Sequence, residues 1–275
     1  MLPGWSTNSI DGDALAAVEY LAGLGYRSLA ITPDRHLLNP FAEPYAGEVR
    51  AWQHAIEAHS LACVVETGAR HLLDPLRKHE PTLLSANAAD RQRRIAFLNT
   101  AIDLAVDLEA RCVSLWSGVV HDGAGEDALW QRLTESLKPV IDHATARGMT
   151  IGFEPEPGMF VDTLQRFDEL CERLGHPQPC KLTIDLGHLE CMGEWPLADT
   201  LARTTSRLVN VHLDDMRPCI HDHLPLGQGI IDFAPLFAVL RNAGYPGGLH
   251  AELPRQSHRW VQESAATAEF PRRLT

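Results

Sequence analysis

The sequence has 275 residues, of which 45% are hydrophobic and 22% are charged, and its formal net charge is −12 at pH 7. This length and composition predict a soluble globular protein with one large core, and they exclude a disordered chain and a small disulfide-stabilised domain. The acidic balance predicts little attraction to polyanions, so we expect no nucleic-acid partner.

The sequence gives no sign of export or membrane insertion. No apolar run reaches the roughly 18 to 20 residues that a membrane helix needs, and the N-terminal residues lack a basic region followed by an apolar core. The six cysteines are scattered without a CxxC pair, which predicts reduced thiols. We therefore expect a cytoplasmic protein with no membrane partner.

Short β-branched runs alternate with segments of helical period along the chain. The predicted strands cover residues 4–10, 28–32, 62–67, 112–116, 150–154, 181–186, 208–213 and 248–253. Residues 13–24 and 91–108 show the apolar spacing of amphipathic helices. Glycines such as Gly25, Gly148 and Gly244 stand where helix C-caps are expected.

Eight βα units in 275 residues predict an α/β protein of the (β/α)8 TIM-barrel type. No linker-like segment divides the chain, so we expect a single domain over residues 1–275 with its site at the carboxyl ends of the strands. A doubly wound sheet is the alternative fold. Such a sheet usually has a glycine-rich phosphate loop after its first strand, whereas here the first strand runs into Ser6-Thr7-Asn8-Ser9.

Four side chains of the C-terminal half stand at the ends of predicted strands. They belong to the fifth, sixth, seventh and eighth strands and are Glu154, Asp185, His212 and Glu252. Because successive barrel strands end at one mouth, we expect these side chains to converge. Three carboxylates and one imidazole form a ligand set that suits Mn²⁺, Mg²⁺, Co²⁺ or Zn²⁺. The alternative is four unrelated polar residues that end apolar strands by chance.

Several motifs surround these four residues. They are Phe-Glu154-Pro, Asp185-x-x-His188, His212-x-x-Asp-x-Arg217, the loop from His223 to Phe233, and His-Ala-Glu252. With these motifs the chain resembles the xylose-isomerase-like TIM barrels, the superfamily of sugar phosphate isomerases and epimerases. This group includes sugar 3-epimerases, inosose dehydratases and the endonuclease IV group.

The resemblance implies a metal-dependent isomerase or epimerase in carbohydrate metabolism. It makes Glu154, Asp185, His212 and Glu252 the ligands of one divalent ion, with Mn²⁺ preferred over Mg²⁺, Co²⁺ or Zn²⁺. It also makes Glu154 and Glu252 the catalytic acid/base pair, which abstracts a proton next to a carbonyl and forms an enediolate. The implied substrate is a sugar, a sugar phosphate or a cyclitol.

The resemblance also suggests substrate-binding residues. His188 and Arg217 match residues that bind substrate oxygens in the family, and for Arg217 a solvated loop arginine is the alternative. Epimerases have Asn-Arg soon after the first glutamate, whereas this chain has Pro155-Glu156-Pro157. Glu156 therefore has two interpretations, as a ligand of a substrate hydroxyl or as a cap of the following helix.

Other functions stay open at this stage. His221 and His223, together with His188, match the additional metal site of the endonuclease IV group, so a second ion and a nuclease are alternatives. A lyase or dehydratase acting on a keto-sugar or keto-inositol would use the same enediolate, and a non-catalytic sugar-binding barrel would use the same pocket. Because relatives are often dimers or tetramers, the resemblance implies a homodimer or homotetramer.

Overall fold

The computed structural model describes residues 1–273, and its strands and helices alternate along the chain. The strands are β1 Leu2–Ser6, β2 Ser28–Ile31, β3 Ala62–Glu66, β4 Val113–Leu115, β5 Ile151–Phe153, β6 Cys180–Asp185, β7 Leu208–Leu213, β8 Asp215–Arg217, β9 Ile220–Leu224 and β10 Gly248–Ala251. Eight of them form a closed barrel in the order β1-β10-β7-β6-β5-β4-β3-β2, and β8 and β9 form a separate antiparallel hairpin. The predicted (β/α)8 fold is confirmed.

Helices follow most of the barrel strands. They are α1 Val18–Leu24, α2 Tyr45–Ala58, α3 Ala88–Asp107, α4 Glu126–Arg147, α5 Leu164–Leu174, α6 Leu186–Cys191, α7 Leu197–Thr204, α8 Phe233–Asn242 and α9 Trp260–Arg273. Gly25 and Gly148 end α1 and α4 in the left-handed conformation, with φ of 101° and 66°, as the glycine pattern predicts. The six cysteines are free thiols, as expected.

The chain divides into two compact units. Unit 1 comprises Met1–Ile31, Ala51–Val64 and the chain from Leu182 onward. Its strands pair so that Ser28, Gly4, His250, His212 and Asp185 occupy one register row across β2, β1, β10, β7 and β6. Side chains in one row of a parallel sheet point to the same face, so this row concentrates polar groups at one level of unit 1.

Unit 2 comprises Thr32–Arg50 and Val65–Lys181. In it β4 pairs in parallel with β3 and with β5, and α3 and α4 pack against each other. Its core contains Phe153 stacked on Phe167 and Trp130 in edge contact with Phe160, with ring centroids 5.8 and 4.7 Å apart. These aromatic contacts bury the apolar faces of the helices that follow β4 and β5.

Several predicted boundaries are wrong. The first strand ends at Ser6 rather than residue 10, because Thr7–Ser9 form a 3₁₀ turn. Helix α1 begins at Val18 rather than residue 13, since the Asp13 carboxylate accepts hydrogen bonds from the backbone of residues 15 and 16 and holds that segment as a turn. The segment after β7, where no strand is predicted, contains the β8–β9 hairpin.

Within residues 1–273, every helix is too short or too polar to cross a membrane. The single domain over residues 1–275, the homodimer or homotetramer and the cytoplasmic location stay predictions.

Candidate metal centre

Asp185 lies at the junction of β6 and α6, and only one of its two carboxylate oxygens accepts hydrogen bonds from the protein. One oxygen, Oδ1, caps α6 by accepting hydrogen bonds from the backbone N–H groups of Gly187 and His188, at 2.7 and 3.1 Å. The other oxygen, Oδ2, is buried and has no hydrogen-bond partner. A buried carboxylate oxygen without a partner is energetically unfavourable, so this atom is suited to bind a cation.

His212 and Glu252 face this carboxylate from neighbouring strands. His212 pairs in register with Asp185, and its Nδ1 lies 3.0 Å from Oε2 of Glu252. Ligand atoms of the three residues all lie within 4.8 Å of one another. The structure therefore brings together three of the four predicted ligands within unit 1.

Asn8 supports Glu252 and was missed by the sequence analysis. Its Nδ2 donates a hydrogen bond of 2.5 Å to Glu252 Oε1. The 3₁₀ turn after β1 places Asn8 there, and Ser9 next to it accepts a hydrogen bond from the backbone of Leu253 at 2.7 Å. The polar Thr7-Asn8-Ser9 run could have indicated such a residue, but the predicted strand over residues 4–10 included it.

The charges in this cluster favour ionised carboxylates. Burial raises the pKa of Asp185, but the neighbouring imidazoles, His188 foremost, outweigh burial and lower this pKa below its ordinary value. Burial also raises the pKa of Glu252, but His212 foremost, then His223 and the hydrogen bond from Asn8, hold this pKa well below the ordinary range. Two carboxylates therefore stay anionic beside an imidazole, which is a suitable donor set for a divalent cation.

A second cluster consists of His188 on α6 and of His221 and His223 on β9. Nε2 of His188 lies 3.1 Å from Nε2 of His221, and ligand atoms of the three rings lie within 4.8 Å of one another. Burial lowers the pKa of His188 to about 4 and that of His221 to about 3. These two rings are thus neutral at pH 7, and each has a nitrogen lone pair to offer.

Asp214, which the sequence analysis also missed, binds the third histidine. Its fully buried carboxylate contacts Nδ1 of His223. Burial lowers the pKa of His223, but Asp214 more than offsets this effect and raises the pKa to about 10. Gly187 makes room for this carboxylate, because a Cβ there would lie 1.9 Å from Asp214 Oδ1. Atoms of Asp185, Asp214 and His223 also lie within 4.8 Å of one another, so the two clusters are contiguous.

Arg217, predicted to bind substrate, is paired inside the hairpin. Its Nε donates a hydrogen bond of 3.0 Å to Oδ2 of Asp222, and its side chain is 54% exposed. The neighbouring Asp215 holds the glycine loop, since it accepts hydrogen bonds from the backbone N–H groups of Gly227 and Ile231, at 2.9 and 3.1 Å. The loop motif from His223 to Phe233 therefore has a structural role around Asp215.

Glu154 and Glu156 belong to unit 2. Glu154 directly follows β5, is 4% exposed, and donates its backbone N–H to the carbonyl of Leu115 at 2.8 Å. Glu156 is half-buried in the turn that follows. The interpretation of Glu156 as a helix cap is wrong, because the N-cap of α5 is Thr163, whose side chain accepts from the backbone of Arg166.

Comparison with known proteins decides the family. A family described as "Xylose isomerase-like TIM barrel" matches residues 18–273, nearly the whole chain. The chain belongs to this family. Among its relatives, L-ribulose-5-phosphate 3-epimerase UlaE of Salmonella paratyphi C is 25% identical over 197 residues, which cover 71% of this chain and 69% of the relative.

Solved structures share the fold of this family member. A D-tagatose 3-epimerase-like protein superposes with a TM-score of 0.81 at 17% identity, over 100% of this chain and 97% of the other. D-psicose 3-epimerase of Clostridium cellulolyticum H10, solved with D-tagatose, has a TM-score of 0.78 at 18% identity, over 100% and 99%. The family, together with relatives that are epimerases, confirms the prediction of an enzyme in the isomerase and epimerase group.

Proposed function

We propose that this protein is a divalent-metal-dependent epimerase or isomerase that moves a proton at a carbon next to the carbonyl of a sugar or sugar phosphate. The observation that carries the proposal is the convergence of Asp185, His212 and Glu252 at the carboxyl ends of neighbouring strands. The L-ribulose-5-phosphate 3-epimerase relatives support the same reaction class and a pentulose-like substrate.

The proposed ion is held by Glu154, Asp185, His212 and Glu252. Asp185 Oδ2, buried without a hydrogen-bond partner, fits an ion as its missing partner. Glu154 directly follows β5 and Asp185 ends β6, so each stands at the carboxyl end of a barrel strand, where TIM barrels carry their sites. Mn²⁺ is the ion we propose, and Mg²⁺, Co²⁺ and Zn²⁺ are alternatives for the same oxygen-rich set.

The two glutamates carry the proton in this proposal. When bound, the divalent ion supplies positive charge that stabilises the enediolate left by loss of the proton. One of Glu154 and Glu252 takes the proton from carbon, and the other gives a proton back from the opposite face, so configuration changes without change of composition. Asn8 orients Glu252 by holding Oε1, which leaves Oε2 on the side of His212.

His188, Arg217 and Glu156 are the proposed substrate-binding residues. His188 is neutral at pH 7, so its ring can donate to or accept from a substrate hydroxyl. Arg217 already donates to Asp222, and it has further N–H groups with which to reach a substrate oxygen. Glu156 is proposed to accept from a hydroxyl, the interpretation left after its capping role is excluded.

We also propose that His188, His221 and His223 hold a second ion when divalent metal is abundant. The support is the spacing of their nitrogens and the neutral state of His188 and His221. His223 would give up its Nε2 proton on binding the ion and keep Nδ1–H on Asp214. Metal analysis of protein saturated with Zn²⁺ tests this idea. Two ions per chain, falling to one in His221→Ala, would support it, whereas one ion per chain at saturation would refute it.

The function is tested by assaying chelator-treated protein with and without Mn²⁺ on ketoses, ketose phosphates, keto-sugars and inososes. We expect ion-dependent formation of a product of unchanged mass from one of them. A product lighter by water or by an aglycone would identify a lyase instead. A bound but unconverted sugar would indicate a non-catalytic barrel.

The proposed acid/base pair has its own test. Glu154→Gln and Glu252→Gln should each abolish turnover while the protein stays folded by circular dichroism. The matched control is Glu169→Gln, since Glu169 lies on the outer face of α5 in a surface pair with Arg173. Turnover at the wild-type rate in either glutamine variant would contradict the assignment.

A further inference from the structure

A chain of buried hydrogen bonds runs behind the proposed ligand His212. Asn210 Nδ2 lies 3.0 Å from Nε2 of His212, and Asn210 Oδ1 lies 2.9 Å from Nδ1 of His250. At the far end, Nε2 of His250 lies 2.8 Å from the hydroxyl of Ser28. Ser28, Asn210 and His250 are completely buried, and His212 is 2% exposed. Four polar side chains on β2, β10 and β7 thus form one continuous path.

Two glycines leave space for the His250 ring in the middle of this path. A Cβ on Gly4, the register partner of His250 on β1, would lie 2.4 Å from the His250 ring. A Cβ on Gly248, two residues before His250 on β10, would also lie 2.4 Å from that ring and 2.7 Å from the Ser28 hydroxyl. Two glycines on adjacent strands therefore form a slot that accepts an imidazole ring.

Such a path is unusual in a barrel interior, which is normally filled by branched apolar side chains. Burying a polar group is unfavourable unless it is hydrogen-bonded, and a fully connected network then specifies a single arrangement. His212 presents Nδ1 to Glu252 and turns Nε2 toward this path. The path therefore contacts Nε2, the ring nitrogen of His212 that an ion bound beside Glu252 would not use.

We propose that Asn210, held by His250 and Ser28, is a positioning residue that orients the His212 ring for metal binding and accepts its Nε2–H when Nδ1 binds the ion. This inference rests on the proposed function. An ion bound on the Glu252 side needs the lone pair of Nδ1, so the proton of the neutral ring must be on Nε2. The Asn210 carbonyl then accepts from Nε2–H, its amide donates to His250 Nδ1, and His250 Nε2–H donates to Ser28.

The orientation of the Asn210 amide in this structure is the opposite one. Here Nδ2 faces His212, which places the His212 proton on Nδ1, where it donates to Glu252 Oε2 at 3.0 Å. In the metal-binding arrangement the amide is turned over, and every donor and acceptor along the path changes role together. The amide serves both arrangements because it carries a donor on one side and an acceptor on the other.

Two substitutions at one position test the inference. Asn210→Leu keeps the volume and removes both hydrogen-bonding groups, and we expect it to weaken Mn²⁺ binding by roughly 10- to 100-fold. Asn210→Asp restores an acceptor toward both His212 and His250, and we expect it to retain Mn²⁺ binding within about threefold of wild type. A purely structural role predicts the reverse order, since a buried carboxylate is less favourable than leucine.

Mn²⁺ binding is measured directly, from the electron paramagnetic resonance signal of free Mn²⁺ in a titration, so no assay of activity is involved. Ser136→Ala, which removes a buried hydroxyl from α4, is the matched control and should bind like wild type. Wild-type affinity in Asn210→Leu, or a loss greater than tenfold in Asn210→Asp, would overturn the inference. A wild-type protein that binds no divalent ion would overturn the proposed function itself.

The tautomer is tested separately by ¹⁵N nuclear magnetic resonance. With Zn²⁺ bound, the two-bond correlations of His212 in wild-type protein should show the proton on Nε2. In the protein treated with chelator, they should show it on Nδ1. A His212 ring that keeps its proton on Nδ1 with Zn²⁺ bound would overturn the inference even if both variants at position 210 bind as expected.

Discussion

At the scale of single residues, the candidate centre consists of side chains that each depend on a neighbouring hydrogen-bonding group. Glu252 is held by Asn8, His223 by Asp214, and Asp185 by the backbone at the start of α6. The sequence indicates the residues at strand ends because strand ends are visible in its pattern. The polar run around Asn8 marks that position only as polar, and the sequence does not indicate Asp214, because these roles depend on a turn and on a contact between elements.

Asn8→Ala should weaken Mn²⁺ binding at the candidate centre while the protein stays folded. Loss of the Asn8 hydrogen bond frees Glu252 to rotate, and loss of such an outer contact typically lowers metal affinity or activity about 10- to 100-fold. Isothermal titration with Mn²⁺ and a rate measurement check this result. Asn39→Ala, at a half-buried asparagine in the loop between β2 and α2, is the control, and equal affinities for all three proteins would contradict the prediction.

Gly187→Ala should destabilise the protein because the new Cβ meets a buried carboxylate. The Cβ would lie 1.9 Å from Asp214 Oδ1, and overpacking of this kind costs about 1 to 3 kcal/mol. Urea unfolding measures the change in the free energy of unfolding. In an Asp214→Ala background the same substitution should cost less, and an equal cost in both backgrounds would rule out the assigned contact.

At the scale of elements, the sequence predicts the barrel strands closely and the segment after β7 poorly. The strand at residues 208–213 is predicted with both ends correct, because its apolar residues Leu208, Val209, Val211 and Leu213 are bounded by the charged Arg207 and Asp214. The β8–β9 hairpin is not predicted because its sequence is polar, with Arg217, Asp222 and the two histidines. The hairpin is held by polar side-chain contacts, such as those of Arg217 with Asp222 and of His223 with Asp214, rather than by an apolar face.

Asp215→Ala should release the loop that follows this hairpin. Asp215 accepts from the backbone of Met216, Gly227 and Ile231. Its loss leaves these donors unpaired, two of them in buried residues, and should cost about 3 kcal/mol. Asp232→Ala is a matched control, because Asp232 caps α8 with one hydrogen bond and its loss should cost about 1 kcal/mol. Urea unfolding compares the two, and equal costs would contradict this role of Asp215.

At the scale of the whole molecule, the buried histidines should give the ion-free protein a stability maximum near pH 6.5. His188 and His221 have pKa values lowered to about 4 and 3, so below pH 6.5 the unfolded chain binds protons that the folded protein does not, and stability falls. The pKa of His223 is raised to about 10, so its contribution is complete below pH 6.5 and is lost as the pH rises toward 10.

Urea unfolding in the presence of a chelator at pH 5, 6.5 and 9 checks this maximum. His223→Gln should remove most of the decrease between pH 6.5 and 9, while the decrease toward pH 5 stays. A wild-type protein equally stable at pH 6.5 and 9, or a variant with an unchanged alkaline decrease, would contradict the assignment of that change to His223.

We propose, above all, that this barrel uses a bound divalent ion to exchange a proton next to a sugar carbonyl. The most direct measurement is mass spectrometry and proton nuclear magnetic resonance of ketoses and ketose phosphates incubated with the protein in D₂O, with and without Mn²⁺. We predict Mn²⁺-dependent deuterium at the carbon next to the carbonyl of one substrate, and its loss in Glu154→Gln. Bound Mn²⁺ without deuterium in any substrate would contradict the account.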